Sequence, residues 1–236
     1  MTFLFVSILL VLLPGLLITL LIMLSTRLWN STRQDIDKNR RDQWELIELF
    51  GRELGLIFAS DRNNFTQILT RFPDFELVQK RSSVPYSLSG KANECDFWIL
   101  DFGPQEFYDM PDGVSILSKG WIYLLIHSES LKLPSFSLKS APLLPWINTT
   151  KFSNYPRFSR RYQIAGKNKV AIQSIFKPAL ISHLEGKSHS LNLWGNGSFL
   201  LYSKGWRNLD NINSVKKLND FIEEGFTLYD LFSQEE

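Results

Sequence analysis

Apolar residues are distributed unevenly along this chain. From Phe3 to Leu24, 22 residues run without a charge, and only Ser7 and Thr19 among them are clearly polar. A helix of that length would reach about 33 Å, matching the roughly 30 Å hydrocarbon core of a bilayer. The pattern predicts one transmembrane helix. A cleaved signal peptide would call for a basic leader and an apolar stretch of only about 7 to 15 residues; neither is seen, so a retained anchor is expected. Pro14 and Gly15 predict a mild bend in it.

Beyond Leu24 the pattern changes period. Trp44, Ile47, Phe50, Leu54 and Ile57 recur at spacings of three and four, which predicts an amphipathic helix over Asp35–Phe58. Gly51 and Gly55, on or beside its apolar face, mark either close packing or a weaker helix. A short helix is expected over Asn63–Arg71, ending before Pro73. The runs Cys95–Phe102 and Val114–His127 are rich in aromatic and branched residues and predict paired antiparallel strands, joined by a loop over Gly103–Gly113. The prolines between Leu131 and Pro156 argue for extended, irregular chain. After that come a strand at Arg161–Ala165 and a helix over Asn168–Leu184 interrupted at Pro178. A hairpin of Ser190–Trp194 and Phe199–Ser203 turns around Gly195-Asn-Gly-Ser, and a closing helix spans Ile212–Phe232. The expected fold class is α+β, with one N-terminal transmembrane helix followed by a soluble domain of antiparallel sheet and flanking helices. The expected divisions are 1–26 (anchor), 27–62 (basic flank and amphipathic helix) and 63–236 (α+β domain).

Charge adds a direction to this picture. Arg27, Arg33, Lys38, Arg40 and Arg41 follow the apolar run, while no basic side chain precedes it. By the positive-inside rule the domain is expected to face the cytoplasm from a single-pass membrane protein. The same five residues are candidate contacts for anionic lipid headgroups, with residues 3–24 in the bilayer. Over the whole chain 26 basic residues nearly balance 24 acidic ones, for a net charge of +2, so a nucleic-acid partner is not expected. Cys95 is the single cysteine, which excludes an intramolecular disulfide; inside an apolar strand it reads as a core residue.

Chemistry-bearing patterns are sparse. His127, His183 and His189 have no second metal-type ligand at a suitable spacing. Asp101-Phe102-Gly103 spells a kinase triplet without the other kinase motifs, and Gly195-Asn196-Gly197 reads as a hairpin turn, not a phosphate loop. Glu106, Asp109 and Asp112 match no calcium-loop spacing. Arg157, Arg160, Arg161, Lys167 and Lys169 form the densest basic cluster of the domain. It reads as a charged strand edge, with phosphate or lipid contact as the alternative. No catalytic residue, metal or cofactor is expected.

Leu133-Pro-Ser-Phe-Ser-Leu138, then Phe158-Ser-Arg-Arg-Tyr-Gln-Ile-Ala-Gly166 and Val170–Phe176 before Pro178, resembles a pattern of uncharacterised bacterial proteins, frequent in cyanobacteria. In these a membrane segment precedes a soluble domain. The resemblance covers roughly Asn93–Phe232 and implies a membrane protein of unknown function. The function expected is therefore noncatalytic, a tethered domain that binds a protein partner or forms a homo-oligomer. Lipid sensing through the basic clusters, or an enzyme whose residues meet only in the fold (His127, Asp101 and Tyr162 being candidates), are the alternatives.

Overall fold

The computed structural model describes residues 22–25, 38, 41–58, 62–73, 82–92, 94–104, 108–109, 115–116, 121–140, 150–187, 191–204 and 212–234. The chain divides into two compact units, Met1–Gln43 and Trp44–Glu236. In the first, residues 22–25 are helical with Ile22, Met23 and Leu24 exposed, and Lys38 and Arg41 are helical and exposed. Arg27, Arg33 and Arg40, like residues 3–21 of the expected membrane helix, lie outside the described residues.

The second unit is built on an eight-stranded antiparallel sheet. Its strands are β1 (Ile57–Phe58), β2 (Ser82–Ala92), β3 (Cys95–Pro104), β6 (Trp121–His127), β7 (Leu133–Ser140), β8 (Tyr162–Ala165), β9 (Asn192–Gly197) and β10 (Phe199–Ser203), in the order β1-β2-β3-β6-β10-β9-β7-β8. β4 (Tyr108–Asp109) and β5 (Ser115–Ile116) pair separately. The helices are α1 (residues 44–53 of this unit), α2 (Arg62–Leu69), α3 (Pro156–Arg161), α4 (Lys169–Ile175), α5 (Pro178–Glu185) and α6 (Val215–Ser233).

This architecture corrects the expected fold class. No helix among the described residues is long and apolar enough to cross a membrane, and what they show in place of the expected anchor-plus-domain is an antiparallel sheet with packed helices. The longest helix among the described residues, α6, carries Lys216, Lys217, Asp220, Glu223, Glu224 and Asp230, charges that a hydrocarbon core would not accept.

The sheet is covered on both faces. In β6 every residue from Ile122 to Ile126 is buried, as befits a central strand with apolar layers on either side. Ile122, Leu124 and Ile126 join the larger core with Trp44 and Ile47 of α1, Phe158 of α3, Ile172 of α4, Leu180 of α5 and Phe221 of α6. Tyr123 and Leu125 point the other way, into a smaller core with Leu100, Trp194 and Leu201 beneath Phe65, Ile68 and Leu69 of α2. Each fully buried leucine or isoleucine contributes about 1.5–3 kcal/mol of transfer free energy.

The sequence expectations fare differently from element to element. The helix expected over Asp35–Phe58 stops at residue 53. Gly55, at φ +75°, turns the chain while Leu56 N–H donates to Gly51 O (2.8 Å) and Gly55 N–H to Arg52 O (3.0 Å), the left-handed stop that favours glycine. Ile57 is therefore an edge-strand residue and not part of the helical stripe. The region expected to be irregular after Leu131 contains β7, an interior strand between β9 and β8. The stretch expected as one strand over Val114–His127 is split between β5 and β6. The interruption at Pro178 separates α4 from α5, and β9 and β10 form a hairpin through Gly197-Ser198. α6 starts on Ser214, whose hydroxyl accepts from Lys217 N–H (3.3 Å).

Gly225 lets α6 lie flat on the sheet. A Cβ there would run into Leu124 of β6 and come within 3.3 Å of Tyr202 in β10, so only hydrogen permits this approach.

Candidate functional site: a buried charge clamp and an exposed apolar ridge

Glu224 lies on the buried face of α6, at helical spacing with Leu218, Phe221 and Leu228. One carboxylate oxygen is 2.8 Å from Lys187 Nζ, in the chain that follows α5, and the other is 2.6 Å from Lys204 Nζ, just past β10. Burial alone would raise the Glu224 pKa, but hydrogen bonds from Lys187 and Lys204 outweigh it and hold the group at about 2. Tyr202 stacks on Phe221 with ring centroids 5.2 Å apart. Its hydroxyl adjoins Glu224 without a hydrogen bond of full geometry, and burial, then the carboxylate's charge, push its pKa far up. The pKa of His183 is lowered by burial first and by Lys187 second, against the pull of Glu224.

This cluster has little capacity for acid–base chemistry. A carboxylate held near 2 is a feeble proton acceptor at neutral pH. Its geometry ties α6 to the ends of α5 and β10, which is a structural task.

The candidate catalytic residues do not converge. Asp101 and His127 belong to paired strands, but Asp101 is opposite Ile122 and His127 opposite Asp96, five residues apart along the ladder, or roughly 17 Å at 3.4 Å per residue. They also lie on opposite faces of the sheet, since Asp101 shares the parity of Phe97 and Ile99, whereas His127 stacks on Phe199 (4.6 Å) on the α2 side. Tyr162 donates to Leu184 O (3.0 Å) and is engaged there. Ser128 and Ser130 form a hydroxyl triangle with Tyr229, at 2.8 Å between the serines and 3.1 Å to the phenol from each. No hydrogen bond joins His127 to either serine, whereas Glu129 stands 3.4 Å from its Nε2.

The basic cluster separates into parts. The Arg161 guanidinium donates to the Glu185 carbonyl (2.9 Å) and to the Lys187 carbonyl, at the end of α5, where carbonyls left over by the helix attract a cation. Arg160 Nε donates to Pro156 O (3.3 Å) within its own helix. Arg157, Lys167 and Lys169 are exposed. Of the acidic loop, Asp109 is in β4, and Glu106 and Asp112 lie outside the described residues, as does His189. Cys95 is buried in the larger core.

A different feature stands out at the surface. Among the described residues of this unit, the large apolar side chains with the greatest exposure are Leu46 (48%) and Leu49 (52%) in α1, Ile57 (70%) and Phe58 (43%) in β1, and Val170 (77%) in α4. Four of the five come from one helix–turn–strand segment, and β1 is the edge of the sheet.

No family model and no curated protein matches the chain. A likeness appears among solved structures. The crystal structure of the mycobacterial trehalose monomycolate transport factor A, TtfA, superposes with a TM-score of 0.55 at 10% identity, covering 81% of this chain and 94% of that one. At that identity the likeness establishes a shared fold and nothing about activity.

The clamp was invisible in the linear pattern. Lys187 and Lys204 lie 37 and 20 residues from Glu224, in connecting segments without periodicity. The one available signal was an acidic residue on the apolar stripe of the closing helix. The exposed ridge had a faint signal too: Leu46 and Leu49 fall off the Trp44, Ile47, Phe50, Leu54 stripe.

Proposed function

We propose that the unit Trp44–Glu236 is a noncatalytic domain that binds a protein partner on the α1–β1 segment. The observation that carries this reading is the concentration of exposed apolar side chains there, Leu46, Leu49, Ile57 and Phe58, at a sheet edge. Exposed apolar clusters mark interaction surfaces, and edge strands offer unpaired backbone groups to a second chain. Two further facts support this reading: Glu224 and Tyr162 are engaged in structural contacts, and the solved structure that shares the fold is that of a transport factor. The test is site-specific photocrosslinking of the full chain in its native cells, with the reactive residue at position 49, 57 or 170. A discrete adduct of the same mass is expected from 49 and 57 but not from 170, where the single exposed valine acts as a control. Absence of adducts at 49 and 57, or equal labelling from 170, would refute the assignment.

A further inference from the structure

The charges of the chain are unevenly placed. From residue 130 to residue 184 there are nine lysines and arginines and no acidic residue, which leaves 17 basic against 24 acidic residues for the rest of the chain. This stretch builds β7, β8, α3, α4 and most of α5, at the end of the sheet opposite β1. Lys151 and Phe152 are strapped there between two helices. Phe152 N–H donates to Ser159 Oγ of α3 (2.9 Å), whose hydroxyl lies 3.2 Å from Phe152 O, and Gln173 Nε2 of α4 donates to Lys151 O (3.0 Å). The Phe152 ring packs on Phe158 and Phe176, with centroids 5.3 and 5.7 Å away. Arg157 and Arg160, one turn apart on α3, are thereby joined through Lys151 to Lys167 and Lys169, which flank the Asn168 cap of α4. These five cations are exposed and form no ion pair among the described residues. Of the acidic residues on the adjoining helices α5 and α6, Glu224 is engaged by Lys187 and Lys204, and Glu185 and Asp230 do not balance five cations. Beside Lys169 stands Val170, 77% exposed.

We propose that this basic face, from α3 across Lys151 to the start of α4, docks on the surface of an anionic lipid bilayer, with the five cations among headgroup phosphates and Val170 at their boundary with the acyl chains. Such peripheral contact needs no helix that crosses the bilayer, and it is independent of protein docking on the α1–β1 segment. Basic residues close to an anionic leaflet are attracted individually, and an apolar side chain among them gains by entering the interface. A nucleic acid fits less well. The aromatic rings between residues 150 and 187 are buried or half-buried, which leaves no platform for stacking bases. A long polyanion running past the patch would also meet the acidic excess of the rest of the chain, whereas a bilayer meets only the face turned towards it.

The test uses the full chain carrying an environment-sensitive fluorophore on Val170→Cys, which labels selectively because Cys95 is buried. Vesicles of phosphatidylcholine with added phosphatidylglycerol are expected to shift the emission to the blue, and pure phosphatidylcholine is expected to leave it unchanged. Attachment through the apolar run of residues 3–24 would be blind to headgroup charge and would not produce this difference. The shift should weaken as salt rises above 0.1 M, where charges beyond about 10 Å are screened. The R157E/K169E double variant should need at least about tenfold more anionic lipid for the same shift, while R157K/K169R should stay within about twofold. Both pairs fall on exposed positions, and circular dichroism checks their folding. The same fluorophore on Leu49→Cys should not respond. No shift with anionic vesicles, an equal shift in pure phosphatidylcholine, an unchanged response in folded R157E/K169E, or an equal shift at position 49 would each overturn the proposal. So would an equal response to duplex DNA or polyglutamate at matched charge, which would reassign the face to another polyanion. A bilayer gives no discrete protein adduct at position 170, so the crosslinking result for positions 49 and 57 stands or falls separately.

Discussion

At the scale of single residues the informative position is Glu224. Its side chain is 8% exposed, while those of Lys187 and Lys204 are 21% and 31% exposed, so removing the carboxylate leaves two ammonium groups partly desolvated without their counter-charge. Breaking a buried pair costs about 3–5 kcal/mol, and solvent access to the lysines reduces this to about 2–3 kcal/mol for Glu224→Gln, measurable by urea denaturation at pH 7. The pH dependence has a definite sign. The folded pKa near 2 lies below the ordinary 4.5, so the unfolded chain binds more protons between these values and stability falls as pH drops through that window. The contribution is complete above about pH 4.5 and lost on approach to pH 2. The stability difference between the wild type and Glu224→Gln should therefore shrink from pH 5 towards pH 2; a constant difference would contradict the clamp. The pattern of apolar residues marked position 224 as belonging to the inner face of its helix, but the two lysines that make a carboxylate tolerable there come from distant segments.

At the scale of elements, two contacts decide how helices sit on the sheet. Arg161 joins the start of β8 to the end of α5 through the carbonyls of Glu185 and Lys187. Arg161→Ala should cost about 1–2 kcal/mol because it strands two carbonyl acceptors, whereas Arg157→Ala, at an exposed position, should stay within about 0.5 kcal/mol; thermal unfolding of the pair of variants checks this. Similar losses for both would mean the cluster acts as a unit. Gly225→Ala sets helix propensity against packing. Alanine gains up to about 1 kcal/mol in helix propensity, while the overlap with Leu124 costs about 1–3 kcal/mol in a close-packed core. A net loss of about 1 kcal/mol in chemical denaturation is expected, and a gain would show that α6 stands further from the sheet. Elements with a strong period were legible, as α1 and α6 show through their three- and four-residue stripes. β2 and β7 were not. Each contains a proline, Pro85 and Pro134, at a point where the register shifts, between Ser83 and Tyr86 and between Leu133 and Phe136. Proline in a sheet is confined to such irregularities and to edges, so the prolines after Leu131 argued against β7, which the ladder accommodates, while Ser82–Ala92 carried no expectation.

For the whole unit Trp44–Glu236, order and stability follow the sheet. β6 pairs with β3 and β10 and is buried throughout Ile122–Ile126, whereas β1 pairs only through Ile57 and Phe58 at the edge. Native-state hydrogen exchange should find the β6 amides opening only with global unfolding and the β1 amides exchanging through local fraying; comparable rates in the two strands would contradict the layering. By itself the chain determined the kinds of element available, because helical and strand periods are written in neighbouring residues and depend on local backbone geometry. It also determined the near balance of charge, the lone cysteine and the scarcity of catalytic patterns. It did not determine the strand order, since pairings such as β6 with β10 join segments more than 70 residues apart whose apolar faces are interchangeable in composition. It also led to a membrane-helix architecture, since an apolar run satisfies a length criterion whatever the rest of the chain does. Tertiary structure alone decided that Lys187, Lys204 and Glu224 meet, that Leu46 and Leu49 face outward beside Glu45 and Glu53, and that β1 ends the sheet. Each of these depends on which surfaces remain uncovered once the two cores are filled, and that is a property of the packed whole.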